Sequence, residues 1–309
     1  MRVLISADME GVSQLQDLRE VLACSTQYWA TGKDALTADV AAAAEGLLAG
    51  GASEVVVLDN HGSGNPLNIA PADLPAGARL ETWDVFDLHE HDVQAMLQVG
   101  YHPRCGVDGF MSHTYIPRLR LRVGDELISE SHGRAWAAGV PLIGIVGNAD
   151  HRATLGSLVD APFLVVQTSE GRTGAQPAFT DAGEGAAAIR AFARERLEDK
   201  NAAVAPPPPR DVPFMASLPD GSAREEQMRD AGWTRVSDTE FRVELRDWPD
   251  ARAPLAGAMY GAMSPFLPLM SGLDLTSAES VAAQDRARVS ALEDAFLSAL
   301  RETEDDWLG

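Results

Sequence analysis

The sequence has little positive charge. Of its 309 residues, 25 are Lys or Arg and 46 are Asp or Glu, so the formal net charge is −21. Lys33 and Lys200 are the only lysines. A chain of this charge repels phosphate groups, which argues against nucleic acid and anionic membranes as partners. The acidity favours the binding of cations, although it does not identify a substrate.

Cysteine and long apolar runs are also scarce. Cys24 and Cys105 are the only two cysteines and form no CxxC pair, so we expect buried, reduced thiols. No apolar run approaches the roughly 20 residues that span a bilayer, and no signal-peptide pattern is present. With 45% hydrophobic and 23% charged residues, the composition is typical of a globular protein. We expect a soluble protein of the cytoplasm.

Several common catalytic motifs are missing from the sequence. It contains no GxGxxG, no Walker A motif and no GxSxG motif. Nucleotide binding and serine-hydrolase chemistry therefore have no local support.

The pattern of apolar segments predicts an α/β fold. Val3-Leu4-Ile5 and Glu54–Asp59 have the character of buried strands. Between them, after a turn signal at Thr31-Gly32-Lys33, an alanine-rich helix is predicted from Ala35 to Leu48. This βαβ unit implies a parallel sheet. Further strands are predicted at 141–147, 163–167, 212–218 and 241–245, a hairpin at 119–128, and helices at 133–138, 183–197 and 223–231.

A proline run at 205–210 predicts a linker between two domains. Residues 1–204 would form a catalytic α/β domain with a largely parallel sheet flanked by helices. Residues 210–309 would form a smaller α/β domain, a candidate for oligomerisation and for part of the substrate pocket. Its last helix carries a core-facing stripe at i, i+3, i+7 and i+11, made by Val289, Leu292, Phe296 and Leu300.

Two acids follow the first predicted strand, in the stretch Ser6 to Gly11. Because side chains alternate along a strand, Asp8 and Glu10 are expected to project from the same face, roughly 6–7 Å apart. Carboxylates crowded at the carboxyl edge of a sheet repel each other unless a cation or proton intervenes. A metal site is one interpretation. A helix N-cap at Asp8 followed by a solvated Glu10 is the other.

Further polar residues share this position at strand ends or in adjoining loops. Carboxylates and imidazoles are the usual ligands of hydrolytic metals. A single histidine after a strand is more often structural than a ligand, but a set in one place favours a metal site. The candidate set is Asp8, Glu10, His61, His102, His113 and Glu130. His132 and His151 lie nearby in the sequence without an evident role.

Four short motifs of the chain resemble those of the D-aminopeptidase DppA family of metallopeptidases. They are Asp8-Met9-Glu10-Gly11, Asp59-Asn60-His61, Gly100-Tyr101-His102 and Met111-Ser112-His113, and the similarity runs from residue 1 to about 170. The resemblance implies a two-domain α/β fold, two Zn²⁺ ions per chain and a ring-like decamer. It also implies cleavage of N-terminal residues, D-amino acids above all, from short peptides.

The resemblance further implies a role for each candidate residue. Asp8 would bridge the two zinc ions, Glu10 and His61 would complete one site, and His102 and Glu130 the other. His113 matches the family's catalytic histidine. It would stabilise the oxyanion, protonate the leaving amine or act as a nucleophile, and the sequence does not choose among these roles.

The chain departs from the family pattern at two places. The segment from His113 to Glu130 is one residue shorter than in the family. If the missing residue belongs to the turn at Gly124-Asp125, the side chains that follow keep their faces and Glu130 can still reach the metal. Arg134 stands where a neutral amide is usual, so substrate preference does not carry over directly. Two other functions remain open: a different dinuclear metal amidohydrolase, and a dipeptide-binding protein without catalysis.

Overall fold

The structure, a computed structural model, describes most of the chain. The described ranges are 1–64, 67–82, 91–155, 160–199, 213–218, 225–245, 248–263, 266–274, 280–281 and 283–302. The proline run at 205–210 lies outside them. The linker, and the domain division at that point, therefore stay predictions.

Twelve strands lie within the described ranges, and they form two sheets. In chain order they are β1 (Arg2–Ala7), β2 (Glu54–Asp59), β3 (Ala78–Glu81), β4 (Ala95–Tyr101), β5 (Arg120–Val123), β6 (Glu126–Leu127), β7 (Leu142–Asn148), β8 (Phe163–Glu170), β9 (Gly174–Pro177), β10 (Pro213–Ser217), β11 (Thr234–Arg235) and β12 (Glu240–Glu244).

The larger sheet has seven strands in the order β3-β2-β1-β4-β7-β8-β9. All neighbours are parallel except β8 and β9, which are antiparallel. The predicted parallel sheet is thus confirmed. The chain moves outward from β1 to β2 on one side and returns to place β4 on the other side of β1. Open α/β sheets bind ligands at the carboxyl ends of strands at such a reversal.

Helices cover the sheet. Those of the described ranges are α1 (Thr26–Ala49), α2 (Glu130–Ala138), α3 (Ala149–Thr154), α4 (Ala182–Glu198), α5 (Glu225–Asp230), α6 (Arg252–Ala262), α7 (Leu267–Met270) and α8 (Arg286–Arg301), with short 3₁₀ helices at Leu18–Val21, His61–Gly64, Pro71–Asp73 and Trp248–Ala251. Within these ranges, no helix combines the length and the apolar character that a membrane span requires.

The larger sheet is buried on both faces. Ile5 of β1 lies in a core that includes Leu36 of α1 and Ile189 of α4. Leu4, which points to the opposite face, lies in a second core with Ala135 of α2. Burial on both faces explains why the central strands are continuous apolar runs in the sequence rather than alternating ones.

The smaller sheet is antiparallel, with the order β11-β12-β10-β5-β6. Its apolar face packs Leu121, Phe214 and Phe241 against Met228 of α5 and Leu255 of α6. The hairpin β5–β6 was expected from the sequence, but its pairing with β10 was not. The sheet therefore joins strands from both sides of residues 205–210.

The prediction for α1 was wrong at its start. The helix begins at Thr26 rather than Ala35, and the supposed turn at Thr31-Gly32-Lys33 lies inside it. A Cβ atom on Gly32 would lie 2.2 Å from the carbonyl oxygen of Glu20. Gly32 thus allows α1 to pack directly on the 3₁₀ helix Leu18–Val21, and it does not mark a chain reversal.

The last helix, α8, packs against elements from the beginning of the chain. Leu300 belongs to the same core as Ile5 and Leu36. Leu292 lies in a smaller cluster with Cys24 and Phe266. Of the predicted stripe, Leu292 and Leu300 are buried, whereas Val289 and Phe296 are partly buried against the smaller cluster.

Candidate metal centre

The acidic residues lie in a turn just beyond the end of β1. The strand ends at Ala7, and residues 8–11 turn toward the end of β4. The amide of Asp8 donates to Val99 O at 2.8 Å, and that of Gly11 donates to Gly100 O at 2.8 Å. A Cβ atom on Gly11 would lie 2.0 Å from the carbonyl oxygen of Tyr101. Glycine is therefore required for this close approach of two backbones.

The two carboxylates meet around one backbone amide. Met9 N donates to Asp8 Oδ1 at 2.9 Å and also contacts Glu10 Oε2 at 3.2 Å. The expectation that Asp8 and Glu10 project from one face of a strand was wrong, because both follow the strand's end. The turn nevertheless brings them together, and both are buried.

His61 approaches the acids from the end of β2. Its Nδ1 atom lies 3.1 Å from Glu10 Oε2 and 3.5 Å from Asp8 Oδ1. Its Nε2 atom lies 2.8 Å from the carbonyl oxygen of Val21, which can only accept a hydrogen bond. The proton of the neutral ring is thus held on Nε2, and the Nδ1 lone pair faces the carboxylates.

His102 and Glu130 complete the opposite side. His102 follows β4, and its Nε2 atom lies 2.6 Å from Glu130 Oε1 and 3.6 Å from Asp8 Oδ2. The carbonyl oxygen of Pro103 accepts a hydrogen bond from His102 Nδ1 at 2.9 Å. As in His61, a backbone carbonyl orients the ring so that its second nitrogen faces the acids.

Glu130 is placed by the start of α2. The helix begins at Glu130, earlier than the predicted start at residue 133. Ser129 is its N-cap, and the Ser129 amide donates to His132 Nδ1 at 3.1 Å. The His132 Nε2–H donates to Leu155 O at 2.9 Å. The sequence suggested no role for His132. In the structure it is a buried residue whose contacts hold the N-terminus of α2 in place.

His113 lies on the loop between β4 and β5. Its ring stacks on that of His102, with centroids 4.2 Å apart and an interplanar angle of 12°. Its Nδ1–H donates to Met111 O at 2.7 Å, and its Nε2 atom lies 3.8 Å from Glu10 Oε1. The Nε2 lone pair thus faces the acidic turn.

The carboxylates of this cluster change the pKa values of the histidines that face them. Burial opposes a charge on His102, but the charges of Glu130, Glu10 and Asp8 outweigh it and raise its pKa to about 10. Burial likewise opposes a charge on His61, and Glu10 and Asp8 raise its pKa well above the ordinary value. Burial and the nearby charge of His102 lower the pKa of His113 to about 4.

The donor atoms fit a metal centre. They form three overlapping sets, each within 4.8 Å: Asp8, Glu10 and His61; Asp8, His102 and Glu130; and Glu10, His102 and His113. Within the described ranges, Asp8 Oδ2 is buried without a hydrogen-bond partner. A buried carboxylate oxygen without a hydrogen-bond partner destabilises the fold unless a cation binds it.

Comparison with known protein families shows to which family the chain belongs. The D-aminopeptidase family, peptidase family M55, matches residues 1–254. This chain belongs to that family. The match spans all six candidate residues and ends within α6, before α7 and α8.

The fold is that of a solved member of the D-aminopeptidases. The Zn-dependent D-aminopeptidase DppA from Bacillus subtilis, described as a self-compartmentalizing protease, superposes with a TM-score of 0.74 at 22% sequence identity. The alignment covers 85% of this chain and 98% of that one. No curated protein sequence matches. At this identity the likeness establishes the shared fold.

Sequence reasoning missed the residues that hold the site in shape. Gln167, at the carboxyl half of β8, donates from Nε2 to Glu10 O and Val12 O, each at 3.1 Å. Its own Oε1 accepts from Asn148 Nδ2 at 2.6 Å. The carbonyl groups of Val21 and Pro103 that orient His61 and His102 belong to the backbone. The identity of these two residues therefore does not indicate their role. Gln167 could have been suspected only as a polar residue in an apolar strand.

Proposed function

We propose that this protein is a zinc-dependent aminopeptidase that releases N-terminal amino acids, D-amino acids in particular, from short peptides or amides. The position of Asp8 supports this proposal best. Its Oδ1 atom lies 3.5 Å from His61 Nδ1 and its Oδ2 atom 3.6 Å from His102 Nε2. One carboxylate thus faces two separate groups of ligands, as a bridge between two ions requires.

In this proposal two zinc ions bind per chain. Asp8 would contribute to both sites, with Glu10 and His61 as the further ligands of one and His102 and Glu130 as those of the other. Zinc in such a centre acts as a Lewis acid, which polarises a carbonyl group and lowers the pKa of water. The carbonyls of Val21 and Pro103 keep the two histidines in the orientation that this arrangement needs.

His113 is proposed as the residue that moves the proton. Burial opposes a positive charge on His113 and lowers its pKa, which favours the neutral ring. Because Met111 O holds the proton on Nδ1, the free lone pair is on Nε2. His113 Nε2 can therefore accept a proton from the attacking water and return it to the nitrogen of the leaving amine as the C–N bond breaks.

We further propose that the chain forms a ring-like homo-decamer in the cytoplasm. DppA from Bacillus subtilis is described as self-compartmentalizing. The two described cysteines are free and buried, in keeping with a reducing compartment. Analytical ultracentrifugation tests the assembly, and sedimentation as a monomer of about the 33.0 kDa chain mass would exclude it.

The decisive experiment measures hydrolysis and zinc together. The purified protein is assayed against D- and L-aminoacyl amides, dipeptides and N-acetylated dipeptides. We expect cleavage only of substrates with a free amino terminus, loss of activity with a chelator and recovery with zinc. Cleavage of N-acetylated compounds would instead favour a different metal amidohydrolase. Tight dipeptide binding without hydrolysis at full zinc content would favour a binding protein.

A further inference from the structure

The loop that carries His113 has an uncommon backbone. Met111, Tyr115 and Arg118 have φ angles of 52°, 61° and 67°. Residues with a side chain rarely adopt this left-handed region, and they persist there only where neighbouring contacts hold them. The loop therefore needs support from outside its own sequence.

One support comes from the residue after α8. Arg118 Nε donates to Glu302 Oε2 at 2.6 Å, and Arg118 Nη2 donates to Glu302 Oε1. The side chains are only 23% and 24% exposed. A bidentate pair of this kind fixes both distance and orientation, which a single contact does not.

A second support runs through Arg172. Its Nη2 atom donates to Ser112 O at 3.1 Å and to Leu300 O, at the end of α8, at 3.3 Å. Its backbone carbonyl accepts a hydrogen bond from Met111 N at 3.0 Å. Since Met111 O holds the Nδ1 proton of His113, this chain of contacts reaches the imidazole itself.

We propose that α8 positions the His113 loop, with Arg118 and Glu302 as positioning residues. The family match ends at residue 254, so Glu302 lies beyond the region that the family shares. The catalytic part of this inference rests on the role proposed for His113. The structural part, that the Arg118–Glu302 pair holds residues 111–118 in place, does not.

The test compares two Arg–Glu pairs, the bidentate pair on the loop and a pair with a single hydrogen bond elsewhere in the protein. In Glu302→Gln the carboxylate that pairs with Arg118 is replaced by a neutral amide. In the control, Glu240→Gln, the same change is made in the smaller sheet, where Arg122 Nη2 donates to Glu240 Oε1 at 2.6 Å. The side chains of the control pair are 21% and 36% exposed, so the two pairs are similarly shielded.

Hydrogen–deuterium exchange and kinetics are measured on both full-length variants and the wild type. For Glu302→Gln we expect faster exchange in residues 111–118, a fall in kcat of about tenfold, and unchanged KM and zinc content, because small displacements of a positioned group reduce the rate. Glu240→Gln should match the wild type in all four. Arg118→Lys, which keeps the charge but loses the bidentate geometry, should give a smaller change of the same kind.

Two outcomes overturn the proposal. One is equal exchange of residues 111–118 in the two glutamine variants. The other is faster exchange with an unchanged kcat, which would make the pair merely structural. If the wild type hydrolyses no aminoacyl substrate, the proposed function fails, whereas the exchange experiment still decides whether α8 supports the loop.

Discussion

The Nε2 atom of His102 and the Oε1 atom of Glu130 lie 2.6 Å apart, although 28 positions separate them in the chain. Both side chains are buried. The contact joins the end of β4 to the first turn of α2. Burial and the charge of Asp8 raise the pKa of Glu130, and the neighbouring carboxylates raise the pKa of His102 to about 10. When no metal is bound, the pair therefore holds a proton at neutral pH.

Zinc binding is expected to release protons. At pH 7 the metal-free His102 is protonated, because the pH lies below its raised pKa of about 10. A metal must displace that proton, so raising the pH from 6 to 8 weakens the competition and increases zinc affinity, by about tenfold per pH unit for each proton displaced. Titration against a chelator at several pH values measures this. An affinity that does not change with pH would contradict it.

Proton release can also be measured directly. Calorimetric titration of zinc into metal-free protein, in two buffers with different ionisation enthalpies, gives the number of protons released per ion. His102→Gln should release fewer protons than the wild type. Equal release by the two proteins would show that His102 does not hold a displaced proton.

Asp8→Asn is expected to lose both zinc ions, since each proposed site includes Asp8. His61→Ala and His102→Ala should each weaken one site more than the other. Elemental analysis after dialysis gives the stoichiometry. Asp39→Asn is a matched control, because Asp39 is a buried acid that bonds to Ser13 N and Oγ, both at 2.7 Å, and faces none of the ligands. One ion at saturation in the wild type would rule out the dinuclear centre.

His113→Ala is expected to keep both zinc ions and to lower kcat by about 10²–10⁴-fold, the usual value of one acid–base contact. KM should change little, because the proposed role of His113 is in proton transfer. Steady-state kinetics and zinc analysis of the same preparation test this. A variant with full zinc content and more than roughly a tenth of normal kcat would favour a structural role for the ring.

Gly11→Ala is expected to destabilise the protein and reduce its zinc content. The new Cβ atom would lie 2.0 Å from Tyr101 O, so the acidic turn and β4 would have to move apart. Overpacking of this kind typically costs about 1–3 kcal/mol, and occasionally more. Gly185→Ala is the control: it lies within α4, its Cβ would meet Phe179 no closer than 3.6 Å, and alanine favours a helix. Thermal unfolding compares the two, and similar melting temperatures would contradict the prediction.

Local patterns were enough to predict many elements of the fold. The second strand, Glu54–Asp59, has the predicted bounds, and α4, predicted at 183–197, spans Ala182–Glu198. Strand and helix periodicities are properties of short segments, so they are visible without knowledge of contacts. The same reasoning failed at Gly32, because a glycine required by packing resembles a glycine in a turn.

The sequence by itself determined the larger parallel sheet and the residues gathered at its edge. Asp8, Glu10, His61 and His102 follow strands, Glu130 begins a helix and His113 lies on a loop between strands. Strands that run in parallel bring their ends together. Only the tertiary structure decided how those residues face one another. The turn of Asp8 and Glu10 around Met9 N, the orientation of His61 and His102 by backbone carbonyls, and the contact of α8 with the His113 loop all join distant segments. Backbone groups are the same in every residue, and long-range contacts leave no periodic pattern, so neither can be predicted from the sequence alone.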